Sequence, residues 1–224
     1  MTKINPEISQ KLLEEIKNQT SKVLDIDGVK IKTCINVFPP QSDFSRTSEK
    51  LHTILSDLSG MVVLDVGTGT GVQAIQAVKA GAIKVIAIDI NPAAVDCAKE
   101  NVELNNFKEK ITVIKSDLFD SLNTGEKFDV IIANLPVSDF PLEGIVESSL
   151  YDPDNKLHTR FFSEVNNRLN KNGFIVMTHI NFKGENDFAE FEKMISDYNF
   201  YIEDFNEINY SGYLWRTYKI RHKH

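Results

Sequence analysis

Short apolar strands alternate with amphipathic helices from residue 61 to the C-terminus, and this alternation restricts the chain to few architectures. Strands that alternate with helices of about 10–15 residues are typical of a parallel sheet with helices on both faces. Continuous apolar runs, such as those over 62–66 and 84–88, fit strands that are buried on both sides. We therefore expect an α/β fold whose core is a doubly wound, Rossmann-like sheet.

Seven strands and four helices are predicted for this core. The strands lie over 61–66, 84–90, 111–117, 128–136, 174–180, 199–208 and 213–221, and the helices over 71–81, 92–105, 158–172 and 186–199. In the third helix, Phe161, Phe162, Val165 and Leu169 face inward, and Gly173 lies just beyond its end. The last two strands suit a hairpin, so the seven-stranded sheet is expected to be mostly parallel with one antiparallel strand near the C-terminus.

Residues 1–59 are predicted to form an extension that packs on a single core of residues 60–224. Apolar residues near the N-terminus recur at helical spacing, namely Ile8, Leu12, Leu13 and Ile16. Asp27 and Gly28 lie between two alternating segments and favour the positive φ angles of a tight hairpin turn. A second helix is expected over 48–58, and no linker composition separates it from the core.

The composition is that of a globular protein with an acidic balance. The 224 residues include 25 basic and 32 acidic side chains, a net charge of -7, which disfavours non-specific binding to nucleic acid phosphates. Cys34 and Cys97 show no metal-ligand spacing, and we interpret them as reduced thiols of a cytoplasmic protein without a metal site. No apolar run suits a signal peptide or a transmembrane span, so no membrane partner is expected.

Three glycines, Gly67, Gly69 and Gly71, follow the first core strand and precede a helix. Glycine at such a turn lets backbone N–H groups approach a ligand without interference from a Cβ atom. The spacing departs from the dinucleotide fingerprint G-x-G-x-x-G, because the third glycine comes one residue early and Val72 takes its place. No P-loop pattern occurs, and no Lys or Arg adjoins the loop. The loop therefore favours a ligand with fewer negative charges than a dinucleotide.

Acidic side chains lie at three strand ends, where ligands bind in open parallel sheets. Asp89 ends the second core strand and could accept hydrogen bonds from a ribose diol. Asp65 suits a cationic amino acid group, and Asp117 could hold an exocyclic amine of a base. Each feature also has a purely structural interpretation: the glycines could form only a turn, Asp89 could cap the next helix, and Asp117 could cap a turn at Leu118.

Four segments, 63–71, 87–105, 115–120 and 128–136, occur in an order and spacing that resemble the class I S-adenosylmethionine-dependent methyltransferases. The resemblance covers about residues 60–220. It implies that the cofactor is S-adenosylmethionine and that the product is S-adenosylhomocysteine. The cofactor-binding residues that it implies are Asp65, Gly67, Thr68, Gly69 and Gly71 around the methionine part, Asp89 on the ribose, Ile90, Asp117 and Leu118 at the adenine, and Asn134.

The fourth core strand ends in Asn134, Leu135, Pro136 and Val137. In methyltransferases that act on planar or amide nitrogens, this place usually reads N-P-P-Y or D-P-P-Y. There an Asn carbonyl and a neighbouring backbone carbonyl accept both N–H bonds and orient the nitrogen, so no general base is needed. The resemblance thus implies Asn134 and Pro136 as catalytic residues. Val137 stands where the family has a stacking aromatic residue, and Phe140 could supply the missing ring. In an alternative interpretation, Asn134 only binds the cofactor or caps a turn.

The acceptor is left open by the flanking segments. Residues 37–55 and 150–173 are similar to release-factor glutamine methyltransferases and to small-domain ribosomal RNA guanine methyltransferases. Residues 81–105 also resemble ribosomal-protein lysine methyltransferases. In the recurring stretch, Asp152 and Pro153 are interpreted as a turn, and His158 as the start of a helix.

Charge favours a protein or small-molecule acceptor over RNA. Residues 138–154 contain five acids and neither Lys nor Arg, which would repel phosphates. The basic residues cluster instead in the last strand and beyond it, at Arg216, Lys219, Arg221 and Lys223. Transfer to an amide or amine nitrogen is the favoured reaction. The alternatives are an RNA guanine acceptor, methylation of oxygen, and a non-catalytic partner subunit. The glycine spacing disfavours a nicotinamide dehydrogenase. The sequence leaves the oligomeric state open.

Overall fold

The structure, a computed structural model, describes residues 6–41, 57–138, 144–182, 184, 186–210 and 212–223. The helices are α1 (Pro6–Asn18), α2 (Val72–Lys79), α3 (Pro92–Leu104), α4 (Lys156–Val165) and α5 (Asp187–Asp197). The strands are β1 (Val23–Ile26), β2 (Val29–Lys32), β3 (Val62–Val66), β4 (Lys84–Asp89), β5 (Ile111–Lys115), β6 (Phe128–Ala133), β7 (Leu169–Ile180), β8 (Phe200–Tyr210) and β9 (Tyr213–His222). Short 3₁₀ turns cover Glu147–Ser149 and Pro153–Asn155.

Strands β3 to β9 form one sheet in the order β5-β4-β3-β6-β7-β9-β8. The pairs from β5 to β7 are parallel, and β9 runs antiparallel to both of its neighbours, β7 and β8. The predicted seven-stranded, mostly parallel α/β sheet is confirmed. Its antiparallel strand lies between two others rather than at the edge, because the C-terminal hairpin inserts its second strand beside β7.

Each face of the sheet is covered by its own hydrophobic core. On β6, Ile131 and Ala133 pack with the aromatic residues of α4 and α5, whereas Val130 and Ile132 pack with α2 and with the β1–β2 hairpin. Strand residues alternate between faces, so this continuous apolar run is buried on both sides, as its composition predicts. The N-terminal hairpin turns at Asp27 and Gly28, which have φ angles of 53° and 75°.

The prediction of a helix over 158–172 is wrong in its second half. Helix α4 ends at Val165, and Leu169 begins β7 by pairing with Phe128 of β6. Pairing then shifts register and resumes at Phe174, so the intervening residues bulge from the strand. Leu169 stays buried in the core, which is why its inward position satisfied the helical period. A Cβ atom on Gly173 would lie 2.8 Å from Leu169 Cδ1, so this glycine serves the bulge.

The interpretation of the two cysteines as reduced thiols is also wrong, because the structure joins Cys34 and Cys97 in a disulfide. Cys97 lies in α3, and Cys34 follows the hairpin that docks on this helix. Asn101 of α3 and Asn105, which caps its C-terminal end, exchange amide hydrogen bonds with the backbone N–H and C=O groups of Lys32 and Lys30, at 2.8–3.2 Å. Docking of the hairpin on α3 brings Cys34 and Cys97 together, and no local sequence pattern predicts this docking.

Two further points concern the extent of the fold. The helix predicted over 48–58 lies outside the described residues, apart from Asp57 and Leu58. Within the ranges that the structure describes, no helix combines the length and apolarity needed to cross a bilayer.

Replacing both Cys34 and Cys97 by alanine is expected to lower the free energy of unfolding by about 4 kcal/mol, because the disulfide closes a loop of 63 residues in the unfolded chain. Urea unfolding with and without a thiol reductant measures the change. The reductant should lower the stability of the wild type and leave the double variant unchanged. Two titratable thiols in wild-type protein purified without reductant would contradict the disulfide.

Candidate active site

The glycine loop between β3 and α2 is held by the neighbouring strand. The backbone N–H groups of Gly67 and Thr68 both donate to the carbonyl of Ile88 on β4, at 2.9 and 3.0 Å. Gly71 has a φ of 82°, and a Cβ atom there would lie 3.2 Å from the Cα of Ala98 on α3. Glycine is therefore required at this position by both conformation and helix packing.

Asp65 lies beneath the loop and is almost fully buried, at 1% exposure. Its Oδ2 accepts hydrogen bonds from Thr68 Oγ1 at 2.6 Å and from the Ala74 N–H at 3.1 Å. Its Oδ1 is buried and has no hydrogen-bond partner among the described residues. Burial raises the pKa of Asp65 to about 7; the hydrogen bond from Thr68 opposes this, and the negative charge of Asp89 adds to it. The carboxylate thus orders the loop from behind.

Asp89 ends β4 and faces the same loop. Its Oδ2 accepts from the Gly69 N–H and its Oδ1 from the Asn91 N–H, both at 2.9 Å. Burial raises the pKa of this carboxyl, and the backbone N–H donors partly offset the rise. The next helix is capped by Asn91, whose Oδ1 accepts from the Ala93 N–H at 3.0 Å. The alternative that Asp89 serves as the helix cap is therefore wrong.

Asp117 follows β5 and makes an ion pair that sequence reasoning missed. Its Oδ1 accepts from Arg160 of α4 at 2.7 Å, and Arg160 also contacts Asp120 and Glu164. Leu118 adopts a positive φ of 44° and is buried, with its carbonyl accepting from Ser116 at 2.6 Å. No signal in the sequence links Arg160 to Asp117, because 43 residues separate them.

A cavity of about 630 Å³ joins these groups at the carboxyl ends of the central strands. Nine of the predicted site residues line it: Gly67, Thr68, Gly69, Asp89, Ile90, Asp117, Leu118, Asn134 and Pro136. Asp65 and Gly71 do not line it, since they lie behind the loop that they shape. The N-terminal extension also contributes, through Leu12, Val37, Phe38 and Pro40.

Asn134 stands half-buried where β6 ends, between the glycine loop and the other end of the cavity. The backbone beyond it is fixed by a short bridge, in which the Ser138 N–H donates to Leu150 and the Asp152 N–H donates to Ser138, both at 2.9 Å. Phe140, the suggested substitute for the missing aromatic, lies outside the described residues.

Three aromatic side chains line the end of the cavity formed by β7 and β9, namely Phe182, Tyr213 and Trp215. Ile180 pairs with Trp215 across these strands, which brings Phe182 beside both residues of the hairpin. None of the three is among the site residues predicted from the sequence. Their only signal is the aromatic content of the last strand, and its meaning depends on the antiparallel pairing.

The interpretation of Asp152 and Pro153 as a turn before a helix that begins near His158 is confirmed. Its carboxylate accepts from the backbone N–H groups of Leu157 and His158 at 2.7 and 3.1 Å, which caps the start of α4. The same carboxylate lies 2.6 Å from Nδ1 of the fully buried His158. Burial tends to raise the pKa of Asp152, but the hydrogen bonds from His158 and the backbone lower it overall.

Ion pairs within the chain neutralise part of the charge of the acidic and basic segments. In the acidic segment, Glu147 pairs with Lys17 at 2.5 Å and Asp154 with Lys156 at 3.7 Å. In the basic strand, acids on β8 and α5 pair with the cations: Arg216 with Glu192 and Glu207, and both Lys219 and Arg221 with Glu203. Three of the four cations in the basic cluster, Arg216, Lys219 and Arg221, are thus committed to internal ion pairs, which leaves them poorly suited to bind phosphates.

Known proteins with similar sequences are methyltransferases. The family model described as ribosomal protein L11 methyltransferase (PrmA) matches residues 48–139. A Methanocaldococcus jannaschii protein named "Putative protein N5-glutamine methyltransferase" is 36% identical over 169 residues. This match covers 73% of the present chain and 82% of that relative.

Two solved structures share the fold. The ribosomal protein L11 methylase of Lactobacillus delbrueckii subsp. bulgaricus has a TM-score of 0.62 at 22% identity, and the match covers 84% of each chain. The M. jannaschii tRNA m1G37 methyltransferase has a TM-score of 0.69 at 22% identity, covering 92% of this chain and 55% of that one. One is named for a protein substrate and the other for tRNA, so the shared fold does not select the acceptor.

Asp65→Asn is expected to change how stability depends on pH. The pKa of about 7 in the folded chain exceeds the ordinary value of 3.8, so the folded state retains a proton that the unfolded state releases. The stabilisation from this group is complete below the lower value, falls as the pH rises and levels off above the higher one. Asparagine does not titrate and keeps one acceptor oxygen for Thr68 and Ala74.

Urea unfolding of both proteins between about pH 5 and pH 8 tests this expectation. The stability of the wild type relative to Asp65→Asn should decline across the range. A difference that stays constant with pH would contradict the raised pKa of Asp65.

Proposed function

Because the chain belongs to the class I S-adenosylmethionine-dependent methyltransferases, in the branch of the L11 and release-factor glutamine enzymes, we propose that it methylates a side-chain nitrogen of a protein. The observation that carries the proposal is the continuous cavity from the glycine loop past Asn134 to the aromatic end. Such a cavity can hold cofactor and acceptor side by side. The match to a relative named for N5-glutamine methylation supports a carboxamide nitrogen as the acceptor.

The residues at the glycine end fit the cofactor. A carboxylate has about four acceptor positions, so Asp89 retains capacity for a ribose diol beyond its bonds to Gly69 and Asn91. Gly67 and Gly69 leave the backbone open toward the cavity for the methionine part, with Thr68 between them. Ile90, Asp117 and Leu118 line the adenine side. When bound, S-adenosylmethionine supplies an electrophilic methyl group on a sulfonium.

Asn134 and the turn after it would orient the acceptor nitrogen. The Asn134 side-chain oxygen and a neighbouring backbone carbonyl can accept its two N–H bonds, which directs the nitrogen lone pair toward the methyl group. Pro136 limits the conformations of the chain next to Asn134 and so supports this geometry. Orientation by fixed dipoles suits a neutral amide, because no general base has to remove a proton before transfer.

Protein is favoured over RNA as the acceptor for two reasons. The cations of the last strand are paired with acids of the same chain, so they do not present a strip of free charge for a phosphate backbone. The net charge of -7 acts in the same direction. RNA methylation is tested directly as an alternative in the assay below.

Asp89→Ala is expected to weaken S-adenosylmethionine binding by about 100-fold or more, because it removes charge-assisted bonds to the ribose. Asp89→Asn retains one acceptor for the Gly69 N–H and should give an intermediate loss. Calorimetric titration with S-adenosylmethionine, S-adenosylhomocysteine and NADH measures the effect, with Asp120→Ala as a matched control. Equal affinities for wild type and Asp89→Ala would reject this assignment, and tight NADH binding would reject the cofactor preference.

Asn134→Ala is expected to reduce turnover by about 100-fold while leaving S-adenosylhomocysteine affinity within about threefold, because Asn134 acts on the acceptor. Unmodified release factor, ribosomal protein L11 and ribosomal RNA are incubated with the enzyme and labelled methyl donor, and mass spectrometry locates the methyl group. Asn123→Ala, at an exposed position, is the control.

Unchanged turnover in Asn134→Ala would exclude the orienting role. If the wild type methylated only the RNA, the proposal of a protein acceptor would be wrong and RNA would be the acceptor. No product on any of the three acceptors, with cofactor binding intact, would overturn the proposed reaction and favour the non-catalytic partner subunit.

A further inference from the structure

Arg160 of α4 holds the side chain of Asp117 at the cavity. Its Nη1 donates to Asp117 Oδ1 at 2.7 Å, and its Nη2 donates to the Asp117 carbonyl at 3.4 Å. Both residues line the cavity, and the side chain of Asp117 is 46% exposed. No group in the described parts of the chain donates to Oδ2, so this oxygen of Asp117 is left for a ligand.

The guanidinium of Arg160 is itself fixed by acids of the chain. Its Nη2 donates to Asp120 at 3.0 Å, and its Nε donates to Glu164 at 2.8 Å. Glu164 lies four residues further along α4, so this second contact stays within the helix. Every nitrogen of the guanidinium therefore has an acceptor in the chain, which suits Arg160 to position another side chain rather than to bind a ligand itself.

The backbone around Asp117 is ordered by a different set of contacts. Ser116 Oγ donates to the Leu118 carbonyl at 2.6 Å and accepts from the Ser121 N–H at 3.0 Å. These bonds hold the turn in which Leu118 adopts a positive φ, but they do not determine where the Asp117 carboxylate points. Among the described residues, Arg160 is the only one that makes a hydrogen bond to this carboxylate.

A carboxylate held in this way can distinguish one purine from another. The exocyclic amine of adenine is a donor that a carboxylate oxygen can accept. Hypoxanthine has a carbonyl oxygen at the same position, which would face the carboxylate as a second acceptor. A site that accepts a hydrogen bond disfavours an analogue without the donor, because its own polar group is then left unpaired. A carboxylate that is free to rotate can turn away from the wrong base and loses this discrimination.

We propose that Arg160 is a positioning residue that gives the cofactor site its preference for adenine, by holding the Asp117 carboxylate so that Oδ2 accepts from the exocyclic amine. The assignment rests on the proposed placement of adenine beside Asp117. It adds the residue that keeps this carboxylate in position, and it does not depend on which acceptor is methylated.

Calorimetric titration with S-adenosylhomocysteine and with S-inosylhomocysteine measures the preference as the ratio of two dissociation constants. The wild type is expected to bind the adenine compound at least about tenfold more tightly. Arg160→Met removes the guanidinium and should reduce this preference to about threefold or less, through weaker binding of the adenine compound. Arg160→Lys keeps the charge without the planar fork and should give an intermediate preference.

Arg168→Met is the matched control, because Arg168 anchors the same segment away from the cavity. Arg168 donates to the carbonyls of Asn123 at 2.7 Å and Phe119 at 3.4 Å, and it is not one of the described residues that line the cavity. Its replacement should leave the preference at the wild-type ratio. The thermal midpoint of each variant identifies a general loss of folding, which would weaken the binding of both compounds alike.

Asp117→Asn tests whether Arg160 acts through Asp117. This variant should lose the preference by itself, and adding Arg160→Met to it should cause no further loss. A further loss in the double variant would mean that Arg160 contacts the base directly, which would overturn the positioning role.

The remaining outcomes separate the proposals. A wild type that binds the two compounds equally would overturn both the placement of adenine beside Asp117 and the role of Arg160. If the wild type discriminates and Arg160→Met keeps the full preference, only the role of Arg160 is overturned. An equal loss in Arg168→Met would also overturn it, since anchoring of the segment would then explain the effect. Failure to methylate a protein would count against the proposed reaction and leave these binding ratios unaffected.

Discussion

The site depends on backbone hydrogen bonds to β4 that continue past the end of β3. The Gly67 and Thr68 N–H groups donate to Ile88, so the loop after β3 stays attached to the end of β4. This attachment fixes the distance between the loop and Asp89, whose carboxylate then accepts the next free N–H, that of Gly69. Because parallel strands end at the same edge of a sheet, Asn134 at the end of β6 meets the same cavity.

Placing the Asp65 carboxylate beneath the loop costs electrostatic free energy, because burial disfavours its charged form. A carboxylate beneath the loop supplies acceptors for Thr68 and Ala74, which stabilise the turn into α2. The nearby charge of Asp89 makes ionisation of Asp65 still less favourable, since the two acids serve opposite sides of one loop. A cationic amino acid group near these acids would relieve their repulsion, which agrees with a ligand that carries positive charge.

The sequence predicts the cofactor half of the molecule better than the acceptor half. The seven strands and the glycine loop follow from local periodicity and turn chemistry, and these determine which strand ends meet. The end of α4 was mispredicted because Leu169 is buried whether it lies on a helix or on a bulged strand. The Cys34–Cys97 pair and the position of Phe182, Tyr213 and Trp215 at the cavity depend on docking and antiparallel pairing between segments distant in the chain, which local patterns do not record.

The two halves of the site differ in predictability because they are assembled from different parts of the chain. The cofactor half is formed within strand–loop–helix units, so a few adjacent residues suffice to build it. The part of the cavity that we propose for the acceptor is formed where the N-terminal extension, the segment after β6 and the C-terminal hairpin converge, and the Lys17–Glu147 ion pair joins the first two. An exposed ion pair contributes at most about 1 kcal/mol, so the apolar contacts and the strand pairing of β7 with β9 must provide most of its order. Tyr213 and Trp215 lie on β9, so strand pairing holds these two cavity-lining aromatic residues in place.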